Sequence, residues 1–126
     1  MNKLPKIPFP KIPLAKLEKM IVKVLDKHKA EKIVSIDLSG KSDVADKMII
    51  ASGTSSRHVS AIADYVITEL KQAGYPSVPS EGREFGDWVL VDAGDIIVHI
   101  FKPEMRELYN LEKMWSAAIP EAQVNL

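Results

Sequence analysis

The stretch from Trp88 to Phe101 reads WVLVDAGDIIVHIF and leaves little choice of structure. Its β-branched and aromatic residues form two runs on either side of Ala93-Gly94, and a glycine-containing pair between two such runs predicts a tight β-hairpin. Pro103 and Glu104 follow. Both suit the first turn of a helix, where a missing N–H costs nothing and a carboxylate lies near the positive end of the helix dipole. We therefore expect a hairpin that leads directly into a helix.

The two faces of this hairpin differ in chemistry. With Ala93-Gly94 as the loop, the predicted pairs run from Asp92 opposite Asp95 to Trp88 opposite His99. Side chains alternate along a strand, so one face is wholly aliphatic and predicts core: Val89, Val91, Ile96, Val98 and Ile100. The other face is mixed: Trp88, Leu90, Asp92, Asp95, Ile97, His99 and Phe101. Periodicity leaves two interpretations of the mixed face open: a binding surface, or a face covered by a second layer in which His99 is a half-buried, hydrogen-bonded residue.

Composition bounds the class of protein. A chain of 126 residues suits one domain with its own core. Basic and acidic residues number 17 each, so net charge indicates neither nucleic acid nor membrane, although a local basic patch for RNA stays open. The chain has no cysteine, no apolar run of membrane-spanning length and no secretory segment at its start. We expect a soluble, cytoplasmic domain that does not bind membranes.

The segments before the hairpin predict an arm, a helix and two strands. Residues 1–13 are rich in proline and lysine and predict an extended arm, either an unstructured tail or a basic arm that touches an acidic partner such as RNA phosphate. Leu14 to Ala30 has the apolar periodicity of an amphipathic helix, with His28 at its end as a capping or core-edge residue. Lys32 to Leu38 and Lys47 to Ser52 predict strands, antiparallel because the link between them is short.

A glycine and hydroxyl-rich turn follows the second strand and opens another helix, which ends at Gly74. Helical spacing places six apolar residues on the side expected to face the core: Val59, Ile62, Ala63, Val66, Ile67 and Leu70. Thr54 or Ser55 is the expected N-cap. Such a turn can hold a phosphate on the helix N–H groups, and the candidate anion-binding residues are Thr54, Ser55, Ser56 and Arg57. The simpler interpretation, that the hydroxyls only cap the helix, is favoured because no longer glycine pattern is present.

No catalytic constellation is evident. There is no serine elbow with a paired histidine and acid, and no histidine-rich metal cluster. Nucleotidyl transfer needs strand carboxylates that bind magnesium beside a turn such as Gly53-Thr54-Ser55, but no Asp-x-Asp pair follows here. We expect no catalytic residue, no metal, no cofactor and no enzymatic activity.

After the hairpin, the last helix carries an apolar seam of Leu108, Leu111 and Trp115. We expect a domain over 14–118 and a tail over 119–126.

Three motifs in order, SGTSSRHVSAIAD, EGREFGDWVLVDAGDIIVHIF and RELYNLEKMW, resemble the Iojap-related ribosomal silencing factor family over roughly Leu14 to Ala117. The resemblance implies a single α/β domain, a mixed sheet of about five strands with helices packed on it, similar in topology to a nucleotidyltransferase core without its catalytic carboxylates. It also implies a translation repressor that binds the large ribosomal subunit through ribosomal protein uL14 on the intersubunit face and sterically blocks joining of the small subunit. The alternatives are a large-subunit assembly factor, as organelle members of the family are, and a nucleotide-binding or nucleotidyl-transfer enzyme on the same fold.

The resemblance makes the mixed hairpin face the predicted docking surface. Its residues are Trp88, Leu90, Asp92, Asp95, Ile97 and His99 on the hairpin, Glu81 and Gly82 beside it, and Tyr109 and Glu112 on the last helix. Trp88 is the expected aromatic anchor, and the aspartates are the expected partners of basic ribosomal side chains. A nearby contact with ribosomal RNA and a homodimer that competes with docking complete the predicted partners. The proline and lysine-rich arm has no family counterpart, and no role is carried onto Glu84-Phe85-Gly86.

Overall fold

The computed structural model describes residues 12–43 and 45–109. Its elements are, in chain order, α1 (Leu14–Lys27), β1 (Glu31–Asp37), β2 (Lys47–Ser52), α2 (Ser56–Gln72), β3 (Ser80–Glu81), β4 (Trp88–Asp92), β5 (Ile96–Phe101) and α3 (Pro103–Tyr109). The strands form one sheet in the order β1-β2-β5-β4-β3, in which β2 and β5 run parallel and the other neighbours antiparallel. The predicted α/β fold with a mixed five-stranded sheet is confirmed. Residues 1–11 of the predicted arm and the whole C-terminal tail lie outside the described residues.

Helix α1 forms because apolar residues recur along one of its sides. The buried positions are Leu17, Ile21, Val24 and Leu25. The helix ends at Lys27, three residues before the predicted end. His28 is the C-cap, as expected, and Lys29 has a φ of 68°, the left-handed conformation that ends many helices. The N–H of Ala30 then donates to the carbonyl of Leu25 at 2.9 Å, which closes the last turn.

Helix α2 begins as the sequence predicts. The Ser55 hydroxyl accepts the N–H of His58 at 3.1 Å, so Ser55 is the N-cap. All six apolar positions expected to face the core are buried: Val59, Ile62, Ala63, Val66, Ile67 and Leu70. Gly53 lets β2 end against the first turn of this helix, because a Cβ at that position would lie 2.8 Å from Cγ2 of Val59 and 2.9 Å from its backbone nitrogen.

Helices α1 and α2 cover one face of the sheet, with α2 over β4 and β5 and α1 beside it over β1. The residues of the central strands and the hairpin that point into this layer are buried, and Ile33 of β1 packs beside them half-buried. The buried residues are Ile49, Ala51, Val89, Val91, Ala93, Ile96, Val98 and Ile100. The aliphatic side of the hairpin is therefore core, as predicted.

The hairpin loop lies one residue further along the chain than predicted. The last pair of the ladder is Asp92 with Ile97, and the N–H of Ala93 donates to the carbonyl of Ile96 at 2.9 Å, so Gly94-Asp95 is the loop. Ala93 is fully buried in the core, which keeps it out of the exposed loop. Gly94 has a φ of 83°, and a tight hairpin loop with positive φ at its first residue favours glycine there.

The predicted strand register is wrong for the same reason. Trp88 lies opposite Phe101 rather than His99, and Asp92 lies opposite Ile97 rather than Asp95. Each β4 residue thus pairs with a residue two positions further along β5 than predicted. Side chains on a strand return to the same face every two residues. The residues assigned to the two faces are therefore unchanged.

Helix α3 lies on the other face of the sheet. It begins at Pro103 with Glu104 in its first turn, as expected. Its Met105 packs against a second buried cluster, formed by Ile36, Leu38, Met48, Ile50 and Phe101. A second layer thus covers part of the mixed face. Across the described ranges, no helix is long and apolar enough to cross a membrane.

The close approach at Gly53 makes a stability prediction. We expect Gly53→Ala to lower the free energy of unfolding by about 2 kcal/mol or more, because the added methyl group meets backbone and the chain must shift. The measurement is urea denaturation. Gly40→Ala is the matched control, since Gly40 has a φ of 78° but nothing within 4 Å of an added Cβ, so it loses only about 1 kcal/mol from left-handed strain. Equal losses in the two variants would contradict the packing at Gly53.

Candidate functional site

The hairpin face, defined here as Trp88, Leu90, Asp92, Ile97, His99 and Phe101, lies on the side of β4 and β5 away from α1 and α2. The ladder sets its side chains in three opposed pairs, Trp88 with Phe101, Leu90 with His99, and Asp92 with Ile97. Phe101 and His99 are buried, at 1% and 6% exposure, whereas the other four are half-buried. The face therefore has a closed floor and a partly open apolar and acidic surface.

Trp88 is held in one orientation by its neighbours. Its indole N–H donates to Nδ1 of His99 at 2.9 Å. Its ring stacks on Phe101, with 5.1 Å between the ring centroids. A half-exposed aromatic ring fixed by a hydrogen bond and a stack loses little conformational entropy when a partner covers it. This arrangement suits a binding anchor.

His99 is a neutral support for Trp88. Burial lowers the pKa of its imidazole to about 4, because the charged form would lose its hydration. Since Nδ1 accepts the indole N–H, the remaining proton lies on Nε2. The sequence placed His99 among the docking residues. At 6% exposure it acts mainly through the position it gives to Trp88.

Acidic side chains surround the open part of the face. Glu81 is exposed and lies opposite Leu90 in the β3–β4 pair. Oδ1 of Asp92 accepts the N–H of Gly94 at 2.8 Å, which ties this half-buried carboxylate to the loop. Asp95 is exposed at the loop itself. Three carboxylates thus border the apolar centre, and such a rim favours a basic partner.

The remaining predicted docking residues are placed as follows. Gly82 has a φ of 87°, and a Cβ there would lie 2.2 Å from the carbonyl oxygen of Trp88, so this glycine brings its loop directly against β4. Tyr109 is the last residue of α3. Glu112 lies outside the described residues. The structure therefore brings Glu81 and Gly82 to the hairpin face, and the roles of Tyr109 and Glu112 stay predictions.

The turn proposed for anion binding uses its donors within the protein. Besides the Ser55 cap, the N–H of Thr54 donates to Nδ1 of His58 at 2.9 Å. The Ser56 hydroxyl lies 3.3 Å from a carboxylate oxygen of Asp87. Arg57 is exposed. An anion at this turn would have to displace these contacts beside a carboxylate, so the geometry favours the capping interpretation.

His58 also joins the two helices. Because its Nδ1 accepts the Thr54 N–H, its Nε2 carries the proton, and this nitrogen lies 3.0 Å from the carbonyl oxygen of His28 at the end of α1. The His28 ring stacks on Tyr65 of α2, with 3.5 Å between centroids. Within the described ranges, no three His, Cys, Asp or Glu side chains converge as a metal site requires.

One supporting contact was not foreseen from the sequence. Arg106 of α3 is 8% exposed and donates from Nη1 to the hydroxyl of Ser52 at the end of β2, at 2.8 Å. This bond holds α3 against the sheet beside Phe101, and so supports the floor beneath Trp88. The two residues are far apart in the chain, and no local pattern signals such a pair.

The buried imidazole predicts a pH dependence of stability. The pKa of His99 is about 4 in the folded chain against about 6.5 when unfolded. As the pH falls, His99 therefore takes up its proton in the unfolded chain before it does so in the folded chain. The contribution of neutral His99 to the free energy of unfolding is complete above pH 6.5 and is lost as the pH falls toward 4. Between pH 7 and pH 4 we expect a loss of about 3 kcal/mol in the free energy of unfolding. Urea titrations across this range measure it.

His99→Asn is the matched variant for this titration, because its amide oxygen can accept the Trp88 N–H but does not titrate. The difference between the wild-type and variant curves isolates His99 from other acid-sensitive groups. Parallel curves from pH 7 to pH 4 would show that His99 is not held neutral by burial.

The sequence of this chain is similar to those of known proteins. The family described as "Ribosomal silencing factor during starvation" matches residues 12–126. A ribosomal silencing factor of Haemophilus influenzae is 48% identical over 100 residues, which cover 79% of this chain and 98% of that protein. A mouse protein named "Mitochondrial assembly of ribosomal large subunit protein 1" is 37% identical over 100 residues, which cover 77% of this chain and 44% of that protein.

The fold agrees with the same relationship. A crystal structure of a protein from Chromobacterium violaceum has a TM-score of 0.79 at 38% identity, and covers 82% of this chain and 87% of that one. Sequence and structure thus place the hairpin face on a fold shared with this family. The chain belongs to the ribosomal silencing factor family.

Proposed function

We propose that this chain represses translation by docking its hairpin face on the large ribosomal subunit, against ribosomal protein uL14 on the intersubunit face. The docked domain then blocks joining of the small subunit. The observation that carries the proposal is the half-buried Trp88 ring, which His99 and Phe101 hold in one orientation on the partly open hairpin face. Family membership supports the ribosome as the partner.

The chemistry of the face favours a basic protein surface. Leu90, the next residue of this face after Trp88 on β4, and Ile97, nearer the hairpin loop, add half-buried apolar area to the face. Interfaces typically bury an aromatic anchor at the centre and keep polar groups at the rim. Here the rim is acidic, through Glu81, Asp92 and Asp95, so lysine or arginine side chains on the partner would complement it. Such charges mainly accelerate association and select the partner, whereas Trp88 contributes most of the affinity.

The proposed mechanism is occlusion and involves no chemical step. A folded domain of this length has a radius of gyration of about 14 Å. Subunit bridges form between surfaces that approach to contact distance, so a domain of this thickness on the intersubunit face keeps them apart. Repression then depends only on occupancy, and it ends when the chain dissociates.

A second candidate function is assembly of the large subunit. The observation that favours it is the mouse relative, whose name assigns that role to it. The same docking face would serve both functions, and binding to precursor rather than mature subunits would distinguish them. The predicted homodimer through this face, the RNA contact near it and a cytoplasmic site of action also belong to the proposal.

The proposal predicts the effect of removing the anchor. We expect Trp88→Ala to weaken binding to isolated large subunits by about 2 kcal/mol or more, roughly 30-fold, and to restore subunit joining in proportion. Co-sedimentation with purified large and small subunits measures the affinity, and sucrose-gradient profiles measure joining. Wild-type protein should sediment with the large subunit alone.

Two further variants separate binding from folding. Asp92→Asn combined with Asp95→Asn keeps the hairpin hydrogen bond to Gly94 but removes the charge, so it should slow association and reduce its salt dependence. Phe85→Ala removes an aromatic ring that is 77% exposed outside the hairpin face, and it should bind normally. A folded Trp88→Ala protein that binds as tightly as the wild type would refute docking through this face.

A further inference from the structure

The charges of this chain are separated along the sequence although their sum is zero. Residues 1–32 contain nine lysines and three acidic residues, whereas residues 33–126 contain eight basic and fourteen acidic residues. A basic first quarter followed by an acidic remainder gives the molecule a strong internal charge asymmetry. The hairpin face uses the acidic part, and the basic part is unexplained by the proposed function.

Helix α1 concentrates four of these lysines in one stripe. Lys16, Lys19, Lys23 and Lys27 are all exposed. At 100° per residue they fall within an arc of about 80°, opposite the buried side of the helix, and they extend over about 16 Å of its axis. We call these four residues the lysine stripe.

The lysine stripe forms no ion pair in the part of the chain that the structure describes. Ion pairs there join Lys47, Arg83 and Lys102 to carboxylates, and none of these pairs involves a stripe lysine. Glu18 of α1, which could neutralise the stripe, turns the other way. Its carboxylate lies 3.5 Å from Nζ of Lys47 and accepts the hydroxyl of Ser35. Four ammonium groups therefore face solvent together, and one exposed carboxylate, Asp26, lies at the border of the stripe, so the stripe keeps a clear positive excess.

Two more lysines extend the basic surface at a structural cost. Lys29 and Lys32, both exposed, have φ values of 68° and 50°. This left-handed conformation disfavours side chains with a Cβ. Glycine or asparagine is usual after a helix, where Lys29 lies, and Lys32 adopts the conformation in β1, where the register with β2 shifts between Glu31 and Val34. Lysine at both positions keeps positive charge where folding alone would favour another residue, and such strain points to a functional requirement.

We propose that the lysine stripe is a second binding face, which contacts the phosphate backbone of RNA. Lysine ammonium groups bind phosphates as point charges without reading sequence, and a span of about 16 Å covers several phosphates of a strand. The face points away from the hairpin face, because α1 and the hairpin face lie on opposite sides of the sheet. A docked molecule can therefore hold RNA and its ribosomal partner at once.

A lipid surface is the less suitable partner for this helix. A helix that binds membranes inserts its apolar side between the lipids. In α1 that side is closed, because Leu17, Ile21 and Leu25 are at most 1% exposed in the core beneath α2 and the sheet. Phosphate binding needs only the exposed lysines, and it leaves this packing intact.

The test is fluorescence anisotropy with a labelled single-stranded RNA 20-mer and the full chain at a series of salt concentrations. We expect the wild type to bind, with the logarithm of its association constant falling linearly as the logarithm of the salt concentration rises. Lys16→Gln combined with Lys23→Gln should weaken binding about tenfold at low salt, and should reduce the slope by about 1.4. The matched control, Lys41→Gln combined with Lys71→Gln, removes the same charge elsewhere on the exposed surface and should bind within twofold of the wild type.

Several results would overturn the assignment. They are the absence of wild-type RNA binding at low salt, equal losses in the stripe and control pairs, loss of RNA binding in Trp88→Ala, or capture by anionic lipid vesicles in place of RNA. The proposal stands independently of docking through the hairpin face. If docking fails, the wild type ceases to sediment with large subunits but still binds RNA; if the lysine stripe fails, RNA binding is lost while Trp88-dependent sedimentation persists.

Discussion

Burial of Val89, Val91, Val98 and Ile100 beneath α2 fixes how the β4–β5 hairpin is presented. Because strand side chains alternate, closing this aliphatic side determines every residue that the opposite side displays, and a slip of one residue would invert both. The parallel pairing of β5 with β2 makes β5 the central strand of the sheet, so that both hairpin strands have neighbours on each side. The hairpin face is thus a consequence of core packing rather than a separate addition to the fold.

The same packing explains why the open face suits binding better than chemistry. Its buried groups, His99 and Phe101, are committed to holding the Trp88 ring. A histidine whose pKa is lowered to about 4 by burial carries no charge near neutral pH, and its acceptor nitrogen is already occupied. Arg106 likewise is engaged with Ser52. Rigid support of a half-buried aromatic ring is the property that an interface anchor requires.

Local patterns in the sequence predicted the parts of the fold that depend on local physics. Alternation identified both hairpin faces, and helical spacing identified the buried side of α2 together with its Ser55 cap. The hairpin loop was misplaced because Ala93-Gly94 and Gly94-Asp95 are both acceptable loops locally, and burial of Ala93 decides between them. The contacts of Arg106 with Ser52 and of His58 with His28 join distant segments, and their partners are set by sheet order and helix docking, which no local pattern reveals.

The most direct measurement is a cryo-electron microscopy structure of this chain bound to the large ribosomal subunit. We predict that the hairpin face, including Trp88, is buried against uL14, and that the α1–α2 layer faces away from that protein. The domain should overlap the space taken by the small subunit in the joined ribosome. A complex in which α1 and α2 contact the ribosomal protein while Trp88 faces solvent would contradict this account.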